Sequence, residues 1–149
     1  MAQFHFGSEV EKGRNQVSLA LVQRLAGDTV GAKATAERAR KTLEPLYKNQ
    51  PNNDVVAASL SLAHAALGEK ESALKEAERA IMLLPRAKDR LNGPRLEEVL
   101  ALIQMILGET SHAISTLTQL LQTPCSSWFY GTPITPALLR LDPLWDPLR

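Results

Sequence analysis

One cysteine, Cys125, is present, so no disulfide can form within the chain and the redox compartment stays undetermined. Aromatic residues make up only 5% of the 149 positions, which favours small-residue helix packing over a β-sandwich. No apolar run is long enough to span a bilayer. The opening stretch Met1–Val10 lacks the basic flank and apolar run of a secretory signal. Charge of one sign is missing too: the formal net charge is +1, so no overall field argues for nucleic acid or a membrane surface. The eight glycines never fall into a G-x-G-x-x-G or phosphate-loop pattern. These absences predict a soluble, cytoplasmic protein without a cofactor, a nucleic-acid ligand or a membrane anchor.

What is present is a threefold internal repeat. Leu19–Ala39, Leu60–Ala80 and Leu100–Leu120 align on Gly27, Gly68 and Gly108, roughly 40 residues apart. An acid follows each glycine (Asp28, Glu69, Glu109), and an alanine lies five places beyond it (Ala32, Ala73, Ala113). A unit this small cannot bury its apolar face alone and must stack on its neighbours. Glycine tolerates the left-handed conformation that ends a helix, and the acid suits the positive N-terminus of the next one. Each unit therefore reads as helix, tight turn, helix.

Apolar spacing agrees: Val56, Leu60, Ala63 and Leu67 fall on one helical face, as do Leu96, Leu100, Ile103 and Leu107. Helices are predicted at Ser8–Ala26, Thr29–Lys48, Asn53–Leu67, Lys70–Leu84, Pro94–Leu107 and Thr110–Gln122. Pro45 should kink or end the second. The array is expected over 8–123, in units of about 8–50, 53–93 and 94–123. After it the composition shifts: Pro124, Pro133, Pro136, Pro143 and Pro147 are five of the nine prolines, and both tryptophans, Trp128 and Trp145, lie there. One short helix fits, with Thr135 as N-cap and Pro136 in its first position. Residues 124–149 are too apolar for a free tail and should cap the last unit.

In these features the repeat resembles the tetratricopeptide repeat, a helix–turn–helix unit of about 34 residues. The match rests on Leu60, Ser61, Gly68, Ala73, Ala80 and Pro85 in the middle unit. It continues through Leu100, Ala101, Gly108 and Ala113 in the third, and Leu19, Ala20, Gly27 and Ala32 in the first. The family's aromatic positions are not kept: Gln16, Gln23, Ala57, His64, Glu97 and Gln104 stand there. The resemblance covers about residues 13–123 and implies an all-α, right-handed α-solenoid of three pairs plus a C-terminal capping segment. The ending Leu139–Arg149 resembles the segment that often follows such arrays in large bacterial signalling proteins, behind a DNA-binding, cyclase or Ser/Thr kinase domain. That implies a second reading, a regulatory or self-associating C-terminal fragment of such a protein that continues beyond Arg149.

Catalytic chemistry finds little support. His5, His64 and His112 lie in no metal-ligand spacing, and Cys125 has no evident partner base. The basic residues Arg86, Lys88, Arg90 and Arg95 read as a solvated loop. The chain is expected to be a non-catalytic protein-interaction scaffold. Its inner groove, placed by the family's frame, takes Val17, Leu21 and Arg24 from the first unit and Ala58, Leu62 and Ala65 from the second. Glu98, Leu102 and Met105 come from the third. His64 and Gln104, with Arg24, are the expected polar rim. This mainly apolar lining suits a partner's peptide or helix, or a second copy in a homodimer. Equally, Phe4-His5-Phe6 or the tryptophan-bearing tail could fill it.

Overall fold

A computed structural model describes residues 8–149. The fold is all-α: α1 (Glu9–Leu25), α2 (Thr29–Asn49), α3 (Asp54–Leu67), α4 (Lys70–Leu83), α5 (Gly93–Ile106), α6 (Thr110–Leu120) and α7 (Pro136–Leu141), then a 3-10 helix at Pro143–Leu148. Each helix packs on the next from α1 to α6, and the first helices of the units also touch, α1 on α3 and α3 on α5. Among the described residues there is no sheet, only an isolated antiparallel bridge between Ser126 and Pro133.

The repeat is visible at the level of single hydrogen bonds. Gly27, Gly68 and Gly108 have φ of 80°, 80° and 81°. Their N–H groups donate to the carbonyls of Arg24, Ala65 and Met105, each at 3.0 Å. The next N–H, of Asp28, Glu69 or Glu109, donates to Gln23, His64 or Gln104 at 2.9, 2.9 and 2.7 Å. This satisfies carbonyls that a helix end would otherwise orphan. Ala32, Ala73 and Ala113 are buried where the paired helices approach. A Cβ at Gly68 meets nothing within 4 Å, so a substitution there is penalised by the backbone alone. Gly68→Val should lower stability by about 1 kcal/mol or more, read by thermal unfolding; unchanged melting contradicts the turn.

Gly13 is a different case. A Cβ there would lie 2.5 Å from Leu43 Cδ2, and Leu43 is fully buried with nowhere to go. The glycine lets α1 sit close on α2, so Gly13→Val should cost about 1–3 kcal/mol through overpacking, measured by urea denaturation.

Local signals fix the helix ends. Ser8 and Glu11 form a reciprocal capping box, Asn53 accepts from Val55 and Val56 N–H, and Thr135 accepts from Leu138 N–H as expected. Asp28 caps α2 through Gly31 N–H at 2.8 Å. Glu69 and Glu109 make no side-chain cap and join neighbouring units instead: Glu69 accepts from Arg40 at 2.9 Å, and Glu109 pairs with Lys70 at 2.6 Å. Pro45 does not end α2, which runs on to Asn49. Both Pro45 and Lys41, whose carbonyl loses its partner, are exposed, so water can satisfy that carbonyl.

The C-terminal segment shares the array's core. Cys125, Trp128, Ile134, Leu144 and Trp145 belong to one buried cluster with Val17, Leu21, Leu62 and Leu102. Leu139, Trp145 and Leu148 border a cleft with Ile114 and Leu117 of α6 and with Leu121 just past its end. The 3-10 helix also touches α5, and residues 127–130 reach α1, so the segment does more than close one end.

Candidate functional site

The face formed by α1, α3 and α5 carries the arrangement with most chemical content. Glu98, on α5, is 2% exposed. Its carboxylate accepts from the Ser127 hydroxyl at 2.8 Å and from the Trp128 backbone N–H at 2.5 Å. The Ser127 oxygen in turn accepts from Phe129 N–H at 3.2 Å. The Trp128 ring lies under two guanidinium groups, Arg14 of α1 at 4.9 Å from its centroid and Arg95 of α5 at 5.9 Å. Cations over an indole face are attracted by its quadrupole. One residue of the C-terminal segment thus bridges the first and third units.

Burial dominates the electrostatics. It pushes the Glu98 carboxyl up to about 7, against the opposing pull of the Trp128 N–H and Ser127 hydroxyl; Asp142 raises it further and Arg95 lowers it. Burial also raises the Cys125 thiol, with Glu98 adding to the effect. Asp142 is itself buried, caps the 3-10 helix through Leu144 N–H at 3.0 Å, and its backbone carbonyl accepts from Arg149 at 3.0 Å. Glu98 stands at the register that holds Val17 and Ala58 in the other units, both buried. An acid at a position that is apolar in its two counterparts was the signal available in the sequence.

The predicted groove residues fall into two groups. Val17, Leu21, Ala58, Leu62, Ala65, Glu98 and Leu102 do lie together, but all are buried in the core that includes the C-terminal segment. They do not face solvent: the tail, one of the occupants the sequence left open, covers this face. Met105 is half-buried and Arg24 exposed. The other two rim residues point elsewhere. His64 is 9% exposed and its Nδ1 is hydrogen-bonded to Glu69 across the α3–α4 turn. Gln104 accepts from Thr116 of α6 at 3.0 Å. His64 and Gln104 thus each bond within their own helix pair.

Two small clefts border Leu25. One, about 160 Å³, is lined by Leu21, Arg24, Leu25, Met105, Ile106 and Pro147 among others. The other, about 170 Å³, is bounded by Val22, Leu25, Phe129, Tyr130 and Leu144. Leu25 and Tyr130 are 47% and 50% exposed.

The basic cluster is partly structural. Arg86 makes a two-pronged bond to Glu97 and reaches Thr123 Oγ1 at 2.8 Å, while Arg95 serves Trp128. Lys88 and Arg90 are exposed. His112 is paired only with Glu109; His5 and the Phe4–Phe6 segment lie outside the described residues. Among the described residues, no cluster of three or more His, Cys, Asp or Glu side chains could hold a metal, and no helix is long and apolar enough to cross a membrane. No family model, no curated protein and no solved structure matches the chain.

Proposed function

We propose that this chain is a tetratricopeptide-like interaction module. In this reading it is a right-handed stack of three helix pairs, non-catalytic, with its inner face held by its own C-terminal segment. It recognises a protein partner at the apolar rim which that segment leaves open. The repeated glycine turn, with the same two hydrogen bonds in all three units, supports the repeat assignment. The observation that carries the functional reading is Trp128. The inner face grips an irregular segment by its backbone N–H, through Glu98, and by its ring, through Arg14 and Arg95. These are the means by which helical grooves hold peptides: polar groups fix the backbone and a pocket takes an anchor side chain. A partner then meets the rim clefts around Leu25, with Met105 as an adaptable contact.

The test is a photoreactive amino acid at position 25 of the full chain, activated in the cells that make it. A discrete protein adduct that disappears in a Met105→Glu background is the expected result. No adduct, or one indifferent to position 105, overturns the reading.

A further inference from the structure

A different surface, at the N-terminal end of the stack, lacks among the described residues the cover that its counterparts have. Helix α3 is buried from Val56 to Ala65 without a break, whereas α1 buries only Gly13, Val17, Ala20 and Leu21. The difference lies on one face. Val56, Ser59, Leu60 and Ala63 of α3 are 0%, 1%, 3% and 1% exposed. Their counterparts on α5, Leu96, Val99 and Ile103, are 1%, 0% and 0% exposed, with Leu100 half-buried. On α1 the same register is held by Asn15, Ser18, Leu19 and Val22, all exposed, Leu19 at 48% and Val22 at 59%. What adjoins α3 and α5 is known: the second helix of the preceding pair, α2 on α3 and α4 on α5.

The joints between units carry a matching charge pattern. In each, the acid after the glycine receives a cation from the pair before it: Glu69 from Arg40, Glu109 from Lys70. Asp28 is the corresponding acid of the first unit. It is exposed, caps Gly31, and pairs with no cation among the described residues. Apolar face and acid therefore recur together at the stack's open end, in the arrangement that twice elsewhere receives a helix bearing a basic residue.

We propose that the outer face of α1, formed by Ser18, Leu19 and Val22 and bordered by Asp28, docks an amphipathic helix of a partner protein that carries a small or apolar stripe and a Lys or Arg reaching Asp28. The partner thereby extends the stack by one helix and buries Leu19 and Val22, whose counterparts on α3, Leu60 and Ala63, are 3% and 1% exposed. Ser18 and Val22 also border the cleft beside Leu25, so the two surfaces share that edge, whereas Leu19 and Asp28 belong to this face alone and Met105 to the rim alone; variants at those positions let either assignment fail without the other.

The probe is a hydrocarbon-stapled peptide with the sequence of α2, Thr29–Asn49, the helix that already occupies the corresponding joint. The staple removes the cost of forming an isolated helix. Its binding to the full chain is followed by fluorescence anisotropy. Saturable binding is expected, weakened about tenfold or more by Val22→Glu, and unaffected by Met105→Glu. Asp28→Asn and a peptide carrying Arg40→Gln should each weaken binding a few-fold, with the double change little worse than either alone. Absence of saturable binding, or binding indifferent to Val22→Glu, overturns the proposal. Self-association of the chain that Val22→Glu abolishes assigns the face to a second copy and also overturns it. Affinity that appears only once residues 1–7 are removed gives the face to that segment, with the same consequence.

Discussion

Replacing Trp128 with alanine lowers the stability of the full chain by about 3–5 kcal/mol, the usual cost of emptying a buried aromatic site. The indole is 9% exposed and lies under guanidinium groups from the first and third units. Its removal leaves a void at the centre of the covered face and frees Arg14 and Arg95 from their aromatic partner, each contact contributing about 0.5–1 kcal/mol at a part-exposed site. Trp128→Phe keeps an aromatic face under both arginines and should lose markedly less. Urea denaturation gives both numbers. An alanine variant within about 0.5 kcal/mol of the parent, the range of an ordinary surface change, means the indole is not packed as described. Removing residues 124–149 altogether goes further: it uncovers Leu21, Leu102 and Leu117 and should produce aggregation, seen by light scattering.

The second large effect is in pH. Glu98 has a folded value of about 7, raised by burial above the ordinary carboxylate value of 4.5 that applies when the chain unfolds. Between those two values the folded chain holds a proton that the unfolded chain has released. The part of the stability that depends on Glu98 is therefore full below the unfolded value and falls as pH rises through 7, by about 3 kcal/mol in all. Above that range the loss is complete and the slope flattens. The groups facing Glu98 are Arg95 on its own helix and Asp142, Cys125 and Tyr130 from the C-terminal segment.

Glu98→Gln should abolish this slope. A glutamine oxygen can accept from Trp128 N–H while its amide donates to Ser127 Oγ, so the geometry survives without the titration. Glu98→Ala should instead destabilise at every pH, since two buried donors lose their acceptor at about 1–3 kcal/mol each. Unfolding by urea between pH 4 and pH 8 separates the cases. A slope of the same size in Glu98→Gln assigns the proton to another group.

The six long helices could be read from the sequence because their signals are local. A glycine followed by an acid marks each turn, and apolar residues recur at helical spacing between them. Pro45 does not end α2: it and Lys41, whose carbonyl loses its partner, are exposed residues, where water can replace the lost bond. The C-terminal segment was half legible. Its tryptophans called for burial and are buried, while Leu141 is 81% exposed; composition cannot say which residues pack or against what, and the bond from Trp128 N–H to Glu98 spans 30 positions. Val17, Leu62 and Leu102 belong to one buried cluster with residues of the C-terminal segment, a long-range contact that no local spacing reports. His64 bonds Glu69 and Gln104 bonds Thr116, each within its own helix pair, a choice of partner that the sequence pattern does not report.

Acrylamide quenching of a Trp145→Phe chain tests the central claim most directly, since Trp128 is then its sole indole. With the C-terminal segment lying across the inner face, the emission is shielded from the quencher in the native state and becomes accessible only as the chain unfolds, in a single transition with the loss of helix. Free access of the quencher to Trp128 in the folded chain, with helix content intact, contradicts the account: the inner face would then be open, and the segment no part of the core.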